Sequence, residues 1–521
     1  MRLRTWLSDT IHKKALFIAL VHWYVTFFFE KDLFIRSTLE SKTFTVAKII
    51  VIFSFWQIAA YMFRRYKREA DYRRFIHFSA IYFLFSMVVL LMIWPGNWGW
   101  EKMGLIGVVR NFEQYAWHHY LMIWFYYYAT LLLPSPVSVI ILQLACLSLI
   151  VGYFVYSVSE TIHRSKLAWL AYIPFIFPSV LAQNYFPLRA TLFAYIVLLL
   201  LVILIKSISR QKNVTSKLFI ALSILTALIS TIRGEGVYFL VAIPILFIII
   251  FWKTSTRFQK TLFPILTAIL FLIVNYPQSK IMGPIDHQKY ILTTYTEPLG
   301  SLVNKAMQDN RPDLIEDIDK YLRVSNFKDV SGAYAYWHTD LIREGFYEAD
   351  KTDLYRALLK LIYTYPDVFI KDRWATFQFG QTPIVVTETV GYTAGSAPSE
   401  VYDTVFKGGL SDYLSPKTRD RTLQFIALQT SKTARAFFHN ILIPLGLIVF
   451  LSLVLLILKQ YKTLLCVICP LPMAVLAFLA AQTGFFMYYF SVYLFGYAAF
   501  FVAAILMIYK MTKMIRLSSR A

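Results

Sequence analysis

Residues 76–101 read IHFSAIYFLFSMVVLLMIWPGNWGWE: nineteen residues to Trp94 with one histidine and no acid, lysine or arginine, then a turn of Pro, Gly, Asn and Trp, then the acid Glu101. An apolar run of that length is what a helix needs to cross the ~30 Å hydrocarbon core. A β-barrel strand would alternate instead. A carboxylate set where such a helix ends is costly unless something uses it, which makes Glu101 the first candidate for chemistry.

The rest of the chain agrees with that reading. At 521 residues, 58% hydrophobic and 17% aromatic content is too apolar for a water-soluble fold of this size. Hydropathy predicts spans at 15–29, 45–63, 76–94, 138–157, 168–183, 189–206, 217–232, 237–253, 262–276, 438–458, 462–482 and 485–508. The net charge of +22 resembles that of a nucleic-acid binder, but its placement argues otherwise. Residues 277–437 hold 20 of the 30 acids and 19 of the 52 bases, so the membrane part carries the whole excess. That excess clusters in short loops, at Arg2, Arg4, Lys13 and Lys14, at Arg64 to Arg74, at Lys206 to Lys217, and at Lys510 to Arg520. Such clusters orient helices with their basic loops in the cytoplasm, so no nucleic-acid partner is expected.

With twelve spans both termini fall in the cytoplasm. The outer face then receives loops 30–44, 95–137, 184–188 and 233–236 and the large insert 277–437. Keeping that parity requires the aromatic stretch Trp117–Leu133 to lie along the interface rather than cross. Four regions follow: 1–75, two N-terminal helices with a basic loop; 76–276, the membrane core with outer loop 95–137; 277–437, a small, mainly helical extracytoplasmic domain; and 438–521, the last helices and a basic tail. Within the insert, Gly380 to Ser399 reads as loops or short strands. The three cysteines Cys146, Cys466 and Cys469 fall in predicted helices, and core packing accounts for the Cys-x-x-Cys spacing better than redox or zinc chemistry.

The polar residues predicted on the outer face form a short list. Glu101, Glu113 and Glu235 are its acids beyond the first loop in the membrane part. Glu101 suits a general base that deprotonates an acceptor hydroxyl, set against the bland alternative of a solvated acid beside Lys102. Glu113 sits among Asn111 and Gln114 and reads as a wetter, secondary choice. Arg233, Gly234, Glu235 and Gly236 make a tight charged turn in which arginine could grip a phosphate or simply neutralise Glu235. Arg189, after Asn184 to Pro187, is a second phosphate candidate whose alternative is snorkelling to the interface. His118 and His119 could support an acid or a phosphate, but neighbours on a helix point ~100° apart, so one shared task is not expected. In the insert, Tyr336 and Trp337 could stack on an acceptor or belong to a core. No metal-ligand spacing, Gly-rich phosphate cradle or G-x-S-x-G elbow occurs; no cofactor is fixed, and a divalent metal stays open as an aid.

These features resemble the GT-C superfamily of polytopic membrane glycosyltransferases, which includes protein O-mannosyltransferases and lipid A aminoarabinose transferases, and most of all its uncharacterised members from Gram-positive bacteria. Glu101 matches the acid of the family's first large outer loop; His118, His119, Tyr120 and Leu121 resemble the opening of its interfacial helix; and 277–437 resembles its soluble insert. The Arg-x-x-Gly turn at Arg233 and the Tyr365-Pro366 pair add to the likeness. The chain departs from the pattern in three ways: the acid follows the third span, Tyr120 stands where proline is usual, and Glu replaces the commoner Asp.

The resemblance implies a hexosyltransferase of the plasma membrane. Its donor would be a sugar carried on a polyprenyl phosphate, and its acceptor an extracytoplasmic cell-wall glycan, glycolipid or protein. Glu101 would be the base, with Arg233, Arg189 and Lys102 on the donor phosphate. The rival readings are a polymerase or ligase of lipid-linked polysaccharide, a transporter or flippase, and a sensor that binds ligands on its insert.

Overall fold

The computed structural model describes residues 13–114, 117–210, 213–328, 330–383, 414–481 and 484–518. Arg2, Arg4, Lys212, Arg520 and the part of the expected loop-or-strand tract from 384 to 399 lie outside them.

The described chain is helical throughout, with a single isolated bridge between Leu322 and Ile342 and no extended strand. The membrane part opens with α1 (Lys13–Phe27), α2 (Lys42–Arg68) and α3 (Ala70–Met92). Two short helices follow, α4 (Trp100–Arg110) and α5 (Tyr120–Leu132), then α6 (Val137–Thr161). A 3-10 helix (Lys166–Ile176) leads into α7 (Pro178–Asn184), followed by α8 (Arg189–Arg210), α9 (Ser216–Ile232), α10 (Phe239–Ile250) and α11 (Arg257–Ile281). The insert contributes α12 (Pro284–Gln308), α13 (Gly332–His338), α14 (Thr352–Thr364), α15 (Pro366–Phe379) and α16 (Pro416–Ile426). The chain ends with α17 (Lys432–Phe438), α18 (Leu442–Ile457), α19 (Tyr461–Ile468), α20 (Leu471–Ala480) and α21 (Phe490–Ser518).

Among the described residues seven helices are long and apolar enough to cross a membrane, and up to nine if each bent pair counts as one span. Many of their apolar side chains face outward: Leu84, Leu272 and Met507 are all more than 60% exposed. Rows of such residues would be a large penalty in water and are what a lipid-facing surface requires. The protein is therefore an all-α polytopic membrane protein.

Helices occur at every predicted span, but not all as single straight rods. The expected span 168–183 is broken by 69° between the 3-10 helix and α7. Pro178 opens α7 and forces Phe177 into extended backbone (ψ 140°), so the axis cannot continue. The expected span from 438 breaks by 45° between α17 and α18, where the Asn440 side chain accepts from the Leu442 amide (2.9 Å). Helix α5 has 13 residues, about 20 Å of rise at ~1.5 Å each, too little to cross the hydrocarbon core alone.

Among the described residues three large apolar cores organise the chain, with a small fourth at Phe186, Leu188 and Ala190. The largest joins α6, the 3-10 helix, α8, α10 and α18 to α21. A second packs α4 and α5 against α2 and α6 and takes Leu423 and Ile426 from α16. The third, running from Leu292 to Tyr365, belongs to the insert alone. The insert is thus a small helical body on which α15 packs through Val368 and Phe369, while α15 and α16 also pack on the membrane helices through Phe377 and Leu423. Helix α11 continues to Ile281, so the passage from membrane helix to insert falls at Met282 and Gly283 rather than after residue 276.

Candidate active site

The loop that follows α3 is shaped by its glycines. Gly96 has φ +111°, a conformation that disfavours any side chain, and a Cβ there would drive into Ile140. Gly99 caps α4 and lies flat on Phe186, which a Cβ would approach to 2.6 Å. The Asn97 amide donates to the Tyr185 carbonyl (3.0 Å) and Arg419 of α16 donates to the Gly96 carbonyl (3.3 Å). Opposite, the loop 184–188 is held by the Gln143 amide, which donates to the Asn184 and Phe186 carbonyls (2.9 and 3.1 Å), and by the Tyr126 hydroxyl, which donates to the Pro187 carbonyl (2.8 Å). Two loops more than eighty residues apart are thereby clamped together, with Glu101 on the first turn of α4 and Arg189 on the first turn of α8.

Glu101 is gripped from two sides. One carboxylate oxygen pairs with the Lys102 ammonium, and the other lies 2.8 Å from His118 Nε2. Lys102 and His118 side chains are 5% and 3% exposed, while Glu101 keeps 33%. The carboxylate is thus the one member of this trio that a solute could reach. Burial would raise the Glu101 pKa, but Lys102 and His118 outweigh it and hold the group well below the usual carboxylate range. Burial lowers Lys102, against the pull of Glu101 and with added repulsion from Arg189 and Arg233. Burial also lowers His118, so the imidazole is neutral at pH 7. Lys102 rests 5.3 Å from the Phe186 ring, the same ring on which Gly99 packs.

The second half of the site comes from the turn after α9. Arg233 donates to Glu235 Oε1 through Nε (3.0 Å) and Nη2 (2.5 Å), and its guanidinium lies 5.1 Å above the Tyr488 ring. The internal pair expected for this turn forms, and Arg233 also lies close enough to Lys102 to act on its charge. Gly236 cannot carry a side chain, because a Cβ would strike the Ile229 carbonyl, whereas Gly234 faces open space. Arg189 reaches the Tyr290 hydroxyl at 3.4 Å and has no carboxylate partner among the described residues. It lies close enough to lower the pKa of Glu235, His118 and Lys102.

Glu101, Lys102, His118, Arg189, Arg233 and Glu235, spread over 135 residues of sequence, therefore share one enclosed cluster. His119 sits beside them but turned away from Glu101. Its Nδ1 accepts from the Leu121 amide (3.3 Å) as the cap of α5, it faces Asn275 of α11, and burial pushes its pKa down to about 4. Glu113 is not part of the cluster; it is exposed, and its backbone carbonyl accepts from Tyr127. Tyr336 packs into the insert core and donates its hydroxyl to the Lys289 carbonyl (3.2 Å), whereas Trp337 is 52% exposed and meets Trp117.

Four contributors escaped sequence reasoning. Tyr290 and Tyr488 belong to a residue type abundant throughout the chain; only the aromatic crowding of Phe485 to Phe490 just before α21 marks the second. Phe186 and Tyr126 were masked by the abundance of aromatic residues. Among the described residues no group of three or more metal-ligating side chains comes together.

Chemically, the cluster presents three cations against two carboxylates, with His118 neutral, which leaves one net positive charge beside a reachable, ionised acid. That arrangement can hold a monoanion and accept a proton next to it. Comparison with family models, with curated proteins and with solved structures finds no match to this chain.

Proposed function

We propose that this protein is a GT-C-like glycosyltransferase of the plasma membrane, with twelve spans and both termini in the cytoplasm, that moves one sugar from a polyprenyl-phosphate donor to an extracytoplasmic acceptor. The observation that carries the reading is the convergence of Glu101, Lys102, Arg189 and Arg233 at the ends of apolar helices. A phosphodiester linking a sugar to a lipid bears one negative charge, which matches the single uncompensated positive charge of the cluster. Its tail would lie among the lipid-facing helices with the phosphate at headgroup level.

In the proposed reaction the acceptor hydroxyl oxygen attacks the anomeric carbon, the bond from that carbon to the phosphate oxygen breaks, and its electron pair leaves with the polyprenyl phosphate. The hydroxyl proton passes to Glu101. A carboxylate locked to Lys102 is a weak base. Arrival of the donor phosphate gives Lys102 and Arg189 a second anion to bind, and as Lys102 turns to it the basicity of Glu101 rises. The cations then stabilise the charge that grows on the leaving phosphate. A single reachable carboxylate in the cluster favours inversion at the anomeric carbon over a covalent intermediate.

The reading is tested with purified protein in detergent and a set of polyprenyl-phosphate hexoses, by following release of polyprenyl phosphate and the mass of the glycosylated product. Addition of one residue supports it. Addition of a whole chain would favour a polymerase or ligase, and no release from any donor would remove the proposal.

A further inference from the structure

A line of aromatic rings leaves the acid-cation cluster and continues onto the insert. Trp117 precedes His118, which contacts Glu101; the Trp117 ring lies 5.4 Å from Tyr290, whose hydroxyl meets Arg189. Trp117 also meets Trp337 of α13, again with 5.4 Å between ring centres and a steep angle of 68°. Helix α13 is held firmly. Gly332 packs so tightly that a Cβ would enter the Thr296 carbonyl of α12, the Ser331 hydroxyl accepts from the Tyr334 amide (3.2 Å), and Glu297 accepts from the Ala333 amide (2.6 Å). With Ala335 buried beneath, its outward face shows Tyr334 and Trp337, 53% and 52% exposed, and His338 against the Tyr334 ring at 4.6 Å. Asp340, 81% exposed and paired with Arg323, follows immediately.

Flat exposed rings beside hydrogen-bonding groups suit a ligand with apolar C–H faces and polar edges. A lipid chain has no use for the polar groups, and the helix is too rigid and narrow to form a groove for an extended peptide. We infer that the acceptor is a glycan whose sugar rings stack on Trp337 and Tyr334, with Trp117 guiding the terminal ring to Glu101. This rests on the glycosyltransferase reading for its direction, but the platform itself does not.

The full chain in lipid nanodiscs is titrated with cellotetraose, chitotetraose and mannotetraose by calorimetry and saturation-transfer NMR. At least one tetrasaccharide is expected to bind, and to bind about tenfold more weakly to Trp337→Ala and to Tyr334→Ala, the order of one lost aromatic contact. Both side chains are half exposed, so the variants should fold, which a thermal scan verifies. Failure of all three sugars to bind the wild type, or equal binding to the double variant, overturns the platform; turnover with a peptide or lipid acceptor would then assign the acceptor to that class. Loss of sugar binding in the variants with no donor turnover by any protein keeps the platform and removes the transferase reading.

Discussion

Replacing Lys102 by Met separates the two roles assigned to this ammonium. The side chain is 5% exposed and pairs with a carboxylate that keeps His118 at 2.8 Å and 33% exposure. Breaking a fully buried pair from one side costs about 3–5 kcal/mol; the residual exposure and the remaining imidazole reduce this to about 2–3 kcal/mol. For a chain of this length, unfolding entropy of ~2.1 cal/mol/K per residue converts that into a fall of roughly 2–3 °C in the midpoint. In the double variant Glu101→Gln/Lys102→Met no buried charge is left unpaired, so the midpoint should return to within about 1 °C of wild type. Function responds differently. Losing a cation from the leaving phosphate should lower kcat/KM by about 10²–10³ in Lys102→Met, and the double variant, which also lacks the base, should fall further. In Lys102→Met the Glu101 carboxyl loses the ammonium that opposes its burial, so its pKa rises and the acid limb of the kcat/KM profile moves to higher pH. Thermal scans of the four proteins of the cycle, with pH profiles of the two active ones, complete the test. Wild-type stability and an unmoved acid limb in Lys102→Met would refute the pairing on which the mechanism depends.

Three further outcomes follow from the same geometry. Arg189→Ala should fold normally and lose about 10²-fold in kcat/KM with weaker inhibition by free polyprenyl phosphate, since Arg189 is the cation of the cluster without an acid partner among the described residues; unchanged inhibition would remove it from the phosphate site. His119, with its folded pKa lowered to about 4, binds fewer protons folded than unfolded between about pH 6.5 and 4. Its contribution is therefore complete above the unfolded pKa and is lost as pH falls through that window, on the order of 3 kcal/mol, and thermal midpoints of His119→Gln should lose this part of the acid slope. Single cysteines at the exposed positions Glu40 and Lys253 test orientation: an impermeant maleimide should label the first on intact cells and the second only after permeabilisation, and the reverse would invert the topology.

Much of this arrangement was legible in the sequence because burial in lipid writes itself as composition. Runs such as Ile76 to Trp94 announce helices, and the basic cluster from Arg64 to Arg74 supplies the expected orientation. Charged residues at helix ends stood out against that background, so Glu101, Lys102, Arg189 and Arg233 were visible as single residues. Hydropathy carries no record of bends, so the breaks at Pro178 and Asn440 were invisible as angles even though the residues themselves were plain. Nor does it record which loops meet. The clamp between 95–99 and 184–188 depends on Gln143 and Tyr126, buried inside helices, and no local pattern distinguishes them from their neighbours. Tyr290 illustrates the same limit from the insert: its role comes only from the fold that brings Arg189 within 3.4 Å.

The most direct measurement is the turnover number of Glu101→Gln against wild type and against Glu113→Gln, with a polyprenyl-phosphate hexose and acceptor at saturation. The glutamine keeps the size of the side chain and can still meet His118, but it cannot take a proton. The account predicts a fall of about 10²–10⁴ for Glu101→Gln, as for loss of a general base, and a change within about twofold for the exposed Glu113. Full turnover by Glu101→Gln would contradict it.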